Sequence, residues 1–386
     1  MDLSYILTDL YTLVPLCVAA LSLIILLVYY SIFYFRVGIY RGPLSKKKKE
    51  NQSSKLPPVS VVMTAQNDAE WLRVNLVYLL EQDYPDFEVV VVDYLSTDDT
   101  RYVLQILADN YSRLKVVPFT QNSNGYVGKK FPFSIGIKSA KNNLLLLADP
   151  DCMPKDVENF CWIREMVQGY VHDKVDIVLG YCGIQSKASL FNWLQQYDNL
   201  DYSVEYLASA MMHRPFTGNG RNLSYKRSLF MKNDGFIYHY NIPDGADDMF
   251  VNQNARRHNT SVVLTPGSYT MVTPQPTMAA WHSYRRHRTA THTFYSFGLK
   301  LRRMIPSLNV LLFYFAVASL FVWGNLPWEI GAGLVLIKLV WQVFCTAKAS
   351  RKLLIKLIVA WLSPIFEIYF LFANNILKLF PLSKKK

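Results

Sequence analysis

The stretch Leu144-Leu145-Leu146-Leu147-Ala148-Asp149-Pro150-Asp151 ends a run of leucines in two carboxylates one residue apart. A short apolar run of this kind reads as a buried strand. A strand end in an α/β sheet delivers its side chains to the edge where such folds bind ligands. Adjacent carboxylates repel each other and gain most from sharing a divalent cation. Asp149 and Asp151 are therefore candidate Mg2+ or Mn2+ ligands that clamp a diphosphate; a solvated loop is the plain alternative.

Other groups fall into the same pattern. Asp93 closes the apolar run Glu88–Val92 and precedes Ser96-Thr97-Asp98. Its carboxylate can accept hydrogen bonds from a base or ribose, while Ser96 or Thr97 caps a helix. The run Val59–Met63 leads into Thr64-Ala65-Gln66-Asn67-Asp68. If the two strands are neighbours, the main chain at Ala65 and the side chains of Asn67 and Asp68 lie beside Asp93; a helix cap by Asn67 or Asp68 is the alternative. Lys129, in Gly128-Lys129-Lys130, offers a cation for phosphate. Gly218-Asn219-Gly220-Arg221-Asn222 is either a plain turn or one whose glycines let the backbone approach a sugar. Asp244-Gly245-Ala246-Asp247-Asp248 opens an apolar helix. Its acids are either capping charges or a general base, because adjacent acids push their pKa values apart. Trp281-His282-Ser283-Tyr284-Arg285-Arg286-His287-Arg288 combines cations with aromatics. Arg285, Arg286 and His287 suit a diphosphate leaving group, and Trp281 a wall for an acceptor; anchoring to anionic headgroups is the alternative.

These residues need a scaffold. The 386 residues suffice for one large or two ordinary domains. The net charge of +12 does not read as a nucleic-acid groove, because Lys46–Lys49 and Lys384–Lys386 adjoin hydrophobic runs, as at a membrane surface. The five cysteines form neither a CxxC pair nor a disulfide framework. The span Tyr11–Phe35 is almost wholly apolar, enough for a hydrocarbon core of about 30 Å. It lacks the flanks of a signal peptide and reads as a retained anchor. Arg36, Arg41 and Lys46–Lys49 follow it, which places the amino terminus outside and the central region in the cytoplasm.

The organisation expected is an anchor over residues 1–45, a basic linker over 46–58 and an α/β domain over 59–280. Strands at Val59–Met63, Glu88–Val92, Lys115–Phe119, Leu144–Leu147, Val175–Leu179, Asn222–Tyr225 and Ser261–Leu264 alternate with helical patterns. That alternation implies βαβ units and a mostly parallel sheet. Residues 281–305 read as an amphipathic helix at a membrane surface. Residues 306–386 hold the apolar stretches Leu308–Trp323 and Ile330–Ala347, separated by the turn Gly324–Glu329, and then Leu353–Phe380. The last either spans once, which its length favours, or bends at Pro364.

Taken in order, the motifs from Pro57 to Arg288 resemble an inverting family-two glycosyltransferase of the GT-A fold, a Rossmann-like, mostly parallel sheet flanked by helices. The residues that carry the resemblance are Val59-Ser-Val-Val-Met-Thr-Ala-Gln-Asn67-Asp68, Val-Val-Asp93-x-x-Ser-Thr-Asp98, Gly128-Lys129, Asp149-x-Asp151 and Asp247-Asp248. One helix before the domain and about three after it resemble bacterial membrane-bound members. The resemblance implies that Asp68 and Asp93 hold the nucleoside of a donor, most often a UDP-sugar. It implies that Asp149 and Asp151 bind metal and diphosphate, and that Asp248 is the base with Asp247 supporting it. Asp68 and Asp247 stand where Glu is more usual, and Tyr94 and Leu95 replace small residues. The Gln-x-x-Arg-Trp motif of processive synthases is not intact: Ser283–His287 and Arg285–Thr289 both lack its Trp.

The expected function is inverting transfer of one sugar to a lipid or lipid-linked glycan at the cytoplasmic face of the inner membrane, with no nucleic-acid partner. A processive polysaccharide synthase and a non-catalytic nucleotide-sugar-binding scaffold are the alternatives.

Overall fold

A run of valines and leucines buried on both faces is what a central parallel sheet demands. The computed structural model describes residues 10–42, 56–120, 128–240, 242, 244–323 and 327–379. Lys46–Lys49, Lys384–Lys386 and most of the basic linker lie outside these. The chain divides into two units, one built from residues 40–291 and the other from residues 1–39 and 292–386.

In the first unit the strands are β1 (Val59–Ala65), β2 (Phe87–Tyr94), β3 (Leu114–Phe119), β4 (Leu144–Leu147), β5 (Cys152–Pro154), β6 (Ile177–Leu179), β7 (Cys182–Ile184), β8 (Leu223–Lys226), β9 (Thr260–Val262) and β10 (Thr270–Val272). Seven form one sheet in the order β3-β2-β1-β4-β8-β6-β9, and β5-β10-β7 form a second. Every residue of β1, β2 and β4 is buried. Pairings β3-β2, β2-β1, β1-β4 and β6-β9 are parallel. Strand β8 runs antiparallel between β4 and β6. The mostly parallel sheet expected from the βαβ pattern is therefore present, with one reversed strand that alternation alone does not reveal. Its reversal matters: Leu223, at the start of β8, pairs with Leu147, at the end of β4. The turn before β8 thus shares an edge with the carboxyl ends of β1, β2 and β4.

The segment 281–305, expected as one interfacial helix, is two. Met278–Ala290 is helical within the α/β unit, a 3-10 turn covers Thr291–Phe294, and a new helix starts at Phe297. The first piece is an integral part of its unit, since Trp281 and Arg285 are 1% and 4% exposed.

Among the described residues of the second unit three helices are long and apolar enough to cross a membrane: Leu10–Ile39, Phe297–Trp323 and Trp328–Lys352. The described part of the stretch Leu353–Phe380 is not one continuous helix. It breaks after Leu354, at φ +58°, into Leu357–Trp361 and Ser363–Leu379. Pro364 has no N–H to donate and sits in the first turn of the last helix, where none is needed.

The interior of this unit holds an ion pair. Lys338, 0% exposed, donates to Glu367, to Gln342 Oε1 at 2.6 Å and to Tyr314 OH at 3.2 Å. Tyr30 donates to the other Glu367 oxygen. One cluster thus joins the Leu10–Tyr30 helix to three helices from the other end of the chain. Lys338→Met leaves the Glu367 charge unpaired and is expected to cost about 3–5 kcal/mol, whereas Lys338→Met with Glu367→Leu restores most of it. Thermal unfolding in detergent measures both; equal melting temperatures for the single and double variants would refute the ion-pair account.

Candidate active site

The shared edge gathers most of the candidate residues. Ala65 ends β1 level with Asp93 on β2. Asp93 is fully buried; its Oδ2 accepts from Arg101 Nε at 3.2 Å, and its Oδ1 has no partner among the described residues. A buried carboxylate oxygen without a donor is costly and fits a ligand N–H or O–H. Asn67, at φ +56°, is exposed and braces the neighbouring loop: its Oδ1 accepts from the Thr97 amide at 2.8 Å and the Asp98 amide at 3.3 Å. That is the capping alternative, reached across strands. The Asp68 amide donates to Thr100 Oγ1, and its carboxylate accepts from the Gln66 amide. Burial, aided by the negative charges of Asp149 and Asp151, pushes the Asp68 carboxyl up from its ordinary pKa. Lys129 is exposed immediately before the Lys130–Ser139 helix and counters that shift.

Asp149 and Asp151 face one cation, which belongs to the chain itself. Arg221 donates from Nε to Asp151 Oδ1 at 2.9 Å and from Nη2 to Asp151 Oδ2 at 2.7 Å. Its Nε also lies 3.5 Å from Asp149 Oδ2. Arg221 Nη1 donates to Tyr284 OH at 3.2 Å. Among the described residues no three His, Cys, Asp or Glu side chains gather as a metal set. Two hard carboxylates that converge on one cation still fit Mg2+ or Mn2+ when diphosphate and water oxygens complete the shell.

The acid pair stands on the other side of the 218–222 turn. The Gly220 amide donates to Asp247 Oδ2 at 2.6 Å. A Cβ at position 220 would come within 2.9 Å of that oxygen, which is why the turn needs glycine there. Burial first, then the charge of Asp248, raises the Asp247 carboxyl pKa. Asp248 is buried, with Oδ1 accepting from Thr217 Oγ1 at 2.7 Å and Oδ2 from the Thr291 hydroxyl. Asp247, Asp248, Arg221, Asn219, Tyr284 and Arg288 are among the residues that line a cavity of about 170 Å3.

Lys130 rather than Lys129 is the buried lysine of its motif. It donates to the carbonyls of His239 and Ile242 at 2.6 and 2.8 Å. Burial lowers its pKa to about 8, opposed by Asp244, Asp247 and Asp248.

The basic-aromatic segment is arranged differently from expectation. Arg285 and Arg288 both turn to Asp198, at 3.1 and 2.8 Å, on the Leu190–Met211 helix. Arg285 is thereby unavailable to a diphosphate, because its charge is already paired in a site closed to water. Trp281 lies beneath Arg285 and against Phe191, a core residue and not a wall for an acceptor. Arg286 is half-buried and outside the cavity lining; His287 lines the cavity but pairs with Asp244 at 3.2 Å. The residues missed by sequence reading are Arg221, Lys130, Thr217, Thr291 and Asp198. Arg221 carried one available signal, a lone cation inside the Gly-Asn-Gly turn.

A mostly parallel sheet flanked by helices, with acids along its carboxyl edge, is the architecture of the GT-A fold. Residues 60–244 match the model of glycosyl transferase family 2, and the chain carries a domain of that family. Among curated relatives, the glycosyltransferase AglE of Haloferax volcanii is 28% identical over 130 residues, covering 33% of this chain and 40% of that one. The GalNAc(5)-diNAcBac-PP-undecaprenol beta-1,3-glucosyltransferase of Campylobacter jejuni is 26% identical over 135 residues, covering 35% and 41%. The chain thus spans about two fifths of the length of these relatives. The mannosyltransferase PcManGT from Pyrobaculum calidifontis, solved with GDP-Man and Mn2+, superposes with a TM-score of 0.56 at 20% identity, over 92% of this chain and 99% of that one. That likeness is one of fold.

Proposed function

We propose that the protein transfers a single sugar, with inversion, from a nucleoside-diphosphate sugar to a lipid or lipid-linked glycan at the cytoplasmic face of the membrane. The observation that carries this reading is the edge on which Asp149, Asp151, Arg221 and the Asp247–Asp248 pair meet. The unpartnered Asp93 oxygen supports a nucleoside contact. The apolar helices and the undecaprenol-linked substrate in the name of the Campylobacter relative support a lipid-linked acceptor. The cations Arg36 and Arg41, just past the first helix, support the cytoplasmic side.

In this reading Asp68 and Asp93 hold the nucleoside. Asp149 and Asp151 would hold Mg2+ or Mn2+, which when bound supplies charge stabilisation for the departing diphosphate. Asp247 takes the proton of the acceptor hydroxyl, which attacks the anomeric carbon in one displacement and so inverts it. Asp247 is preferred to Asp248 because both Asp248 oxygens are held by threonine hydroxyls. Burial and the neighbouring Asp248 charge raise the Asp247 carboxyl pKa, which suits a base that works near neutrality.

The test is nucleoside diphosphate release by the full chain in detergent with Mn2+, across a panel of nucleotide sugars and with added polyprenyl-linked acceptors. Release with one donor, stimulated by the lipid acceptor and yielding one product band, is expected. A ladder of products would establish a polymer synthase. Equal turnover of a soluble sugar would remove the lipid acceptor from the account, and no release with any donor would overturn the enzyme reading.

A further inference from the structure

We infer that Arg221 is the donor's diphosphate anchor, and that it changes partners: it holds Asp149 and Asp151 in the free protein and phosphate oxygens in the donor complex. This rests on the function proposed above and names the residue that meets the leaving group.

The cavity's cations differ in what they can release. Arg288 Nη2 is shared between the two Asp198 oxygens at 2.8 Å each, and His287 is paired with Asp244. Arg221 is held by the same two acids that fit a divalent ion. A cation that displaces it therefore frees the guanidinium inside the cavity. An entering metal–diphosphate pair is close to neutral overall, so the exchange leaves the charge of the site nearly unchanged. A guanidinium presents a planar fork that matches phosphate oxygens as well as carboxylate oxygens.

The main chain of Arg221 is fixed while its side chain has somewhere to go. Its amide donates to Asn219 Oδ1 at 3.1 Å, and its carbonyl accepts from Thr270 Oγ1 at 2.9 Å. Its side chain is 19% exposed, against 27% and 36% for those of Asp151 and Asp149. The Tyr284 ring, with Arg221 Cζ 5.4 Å from its centroid, gives the guanidinium a surface to slide over.

The experiment uses the full chain with Arg221→Gln and Arg221→Lys. Electron paramagnetic resonance reads Mn2+ affinity without nucleotide. Calorimetry reads UDP and GDP affinity at saturating Mn2+. Arg221→Gln is expected to bind Mn2+ alone about tenfold more tightly and the nucleoside diphosphate about tenfold more weakly, the scale of one charge-assisted hydrogen bond. Arg221→Lys, which keeps the charge but loses the fork, falls between. A variant that merely disturbed the fold would weaken both, so parallel losses overturn the assignment. Unchanged nucleotide affinity in Arg221→Gln also overturns it while leaving the enzyme reading intact. If the wild-type protein binds neither nucleotide, the enzyme reading falls and the anchor with it.

Discussion

Asp247→Asn is expected to lower sugar transfer by about 10²–10⁴-fold, the usual contribution of a positioned general base. Nucleoside diphosphate binding should survive, because Asn still accepts from the Gly220 amide that now meets Asp247 Oδ2. The pH dependence carries a sign. The base works only when ionised, and burial beside Asp248 holds the Asp247 carboxyl pKa above its ordinary value. The acid limb of the kcat/KM profile should therefore lie above the range of a free aspartate, near pH 3.9. Asp248→Asn removes the neighbouring charge and should shift that limb to lower pH. If Asp248→Asn abolishes transfer while Asp247→Asn keeps nearly full rate, the proton belongs to Asp248 instead.

Asn222→Ala is expected to be the most damaging single change to the α/β unit. The Asn222 side chain is fully buried; it accepts from Trp162 Nε1 at 3.1 Å and donates to the carbonyls of Tyr181 and Ser268 at 2.8 and 2.7 Å. Each buried group left without its partner costs about 1–3 kcal/mol. Alanine removes the Asn222 partner of Trp162 Nε1 and of the Ser268 carbonyl, while the Tyr181 carbonyl keeps the Thr270 amide at 3.2 Å. The Asn222 side chain packs directly on the Gly180 backbone, where a Cβ would lie 2.6 Å from its atoms. Asn222 sits directly after Arg221, so the loss also frees the turn that carries the guanidinium. A chemical denaturation curve reads the effect. A midpoint within error of the wild type would show that water satisfies these groups after all.

The apolar strands were legible because continuous valine and leucine runs have few other uses. Asp149, Asp151, Asp247 and Asp248 were legible because each pair breaks such a run or opens a helix. The arginines misled. A cation-aromatic cluster looks the same in sequence whether it faces a groove or a carboxylate, and Asp198 lies 87 residues from Arg285. Arg221 was hidden for a related reason: its partners are set by the antiparallel pairing of β8 with β4, a contact between distant segments that periodicity does not encode. The break after Leu354 escaped because composition measures how apolar a stretch is, not where its backbone turns.

The Lys338–Glu367 cluster has a consequence for biogenesis. Its members come from both ends of the chain, with the whole α/β unit lying between them in sequence. During synthesis the leading helix must wait alone in the bilayer while that unit emerges and folds, since domains mature in the order they leave the ribosome. The tyrosine at its end meets its carboxylate only when the final segment arrives. Truncation before Glu367 would therefore leave Tyr30 and Lys338 without their carboxylate, while Asn309 and Trp341 still donate to the anchor at the Ser22 and Leu27 carbonyls.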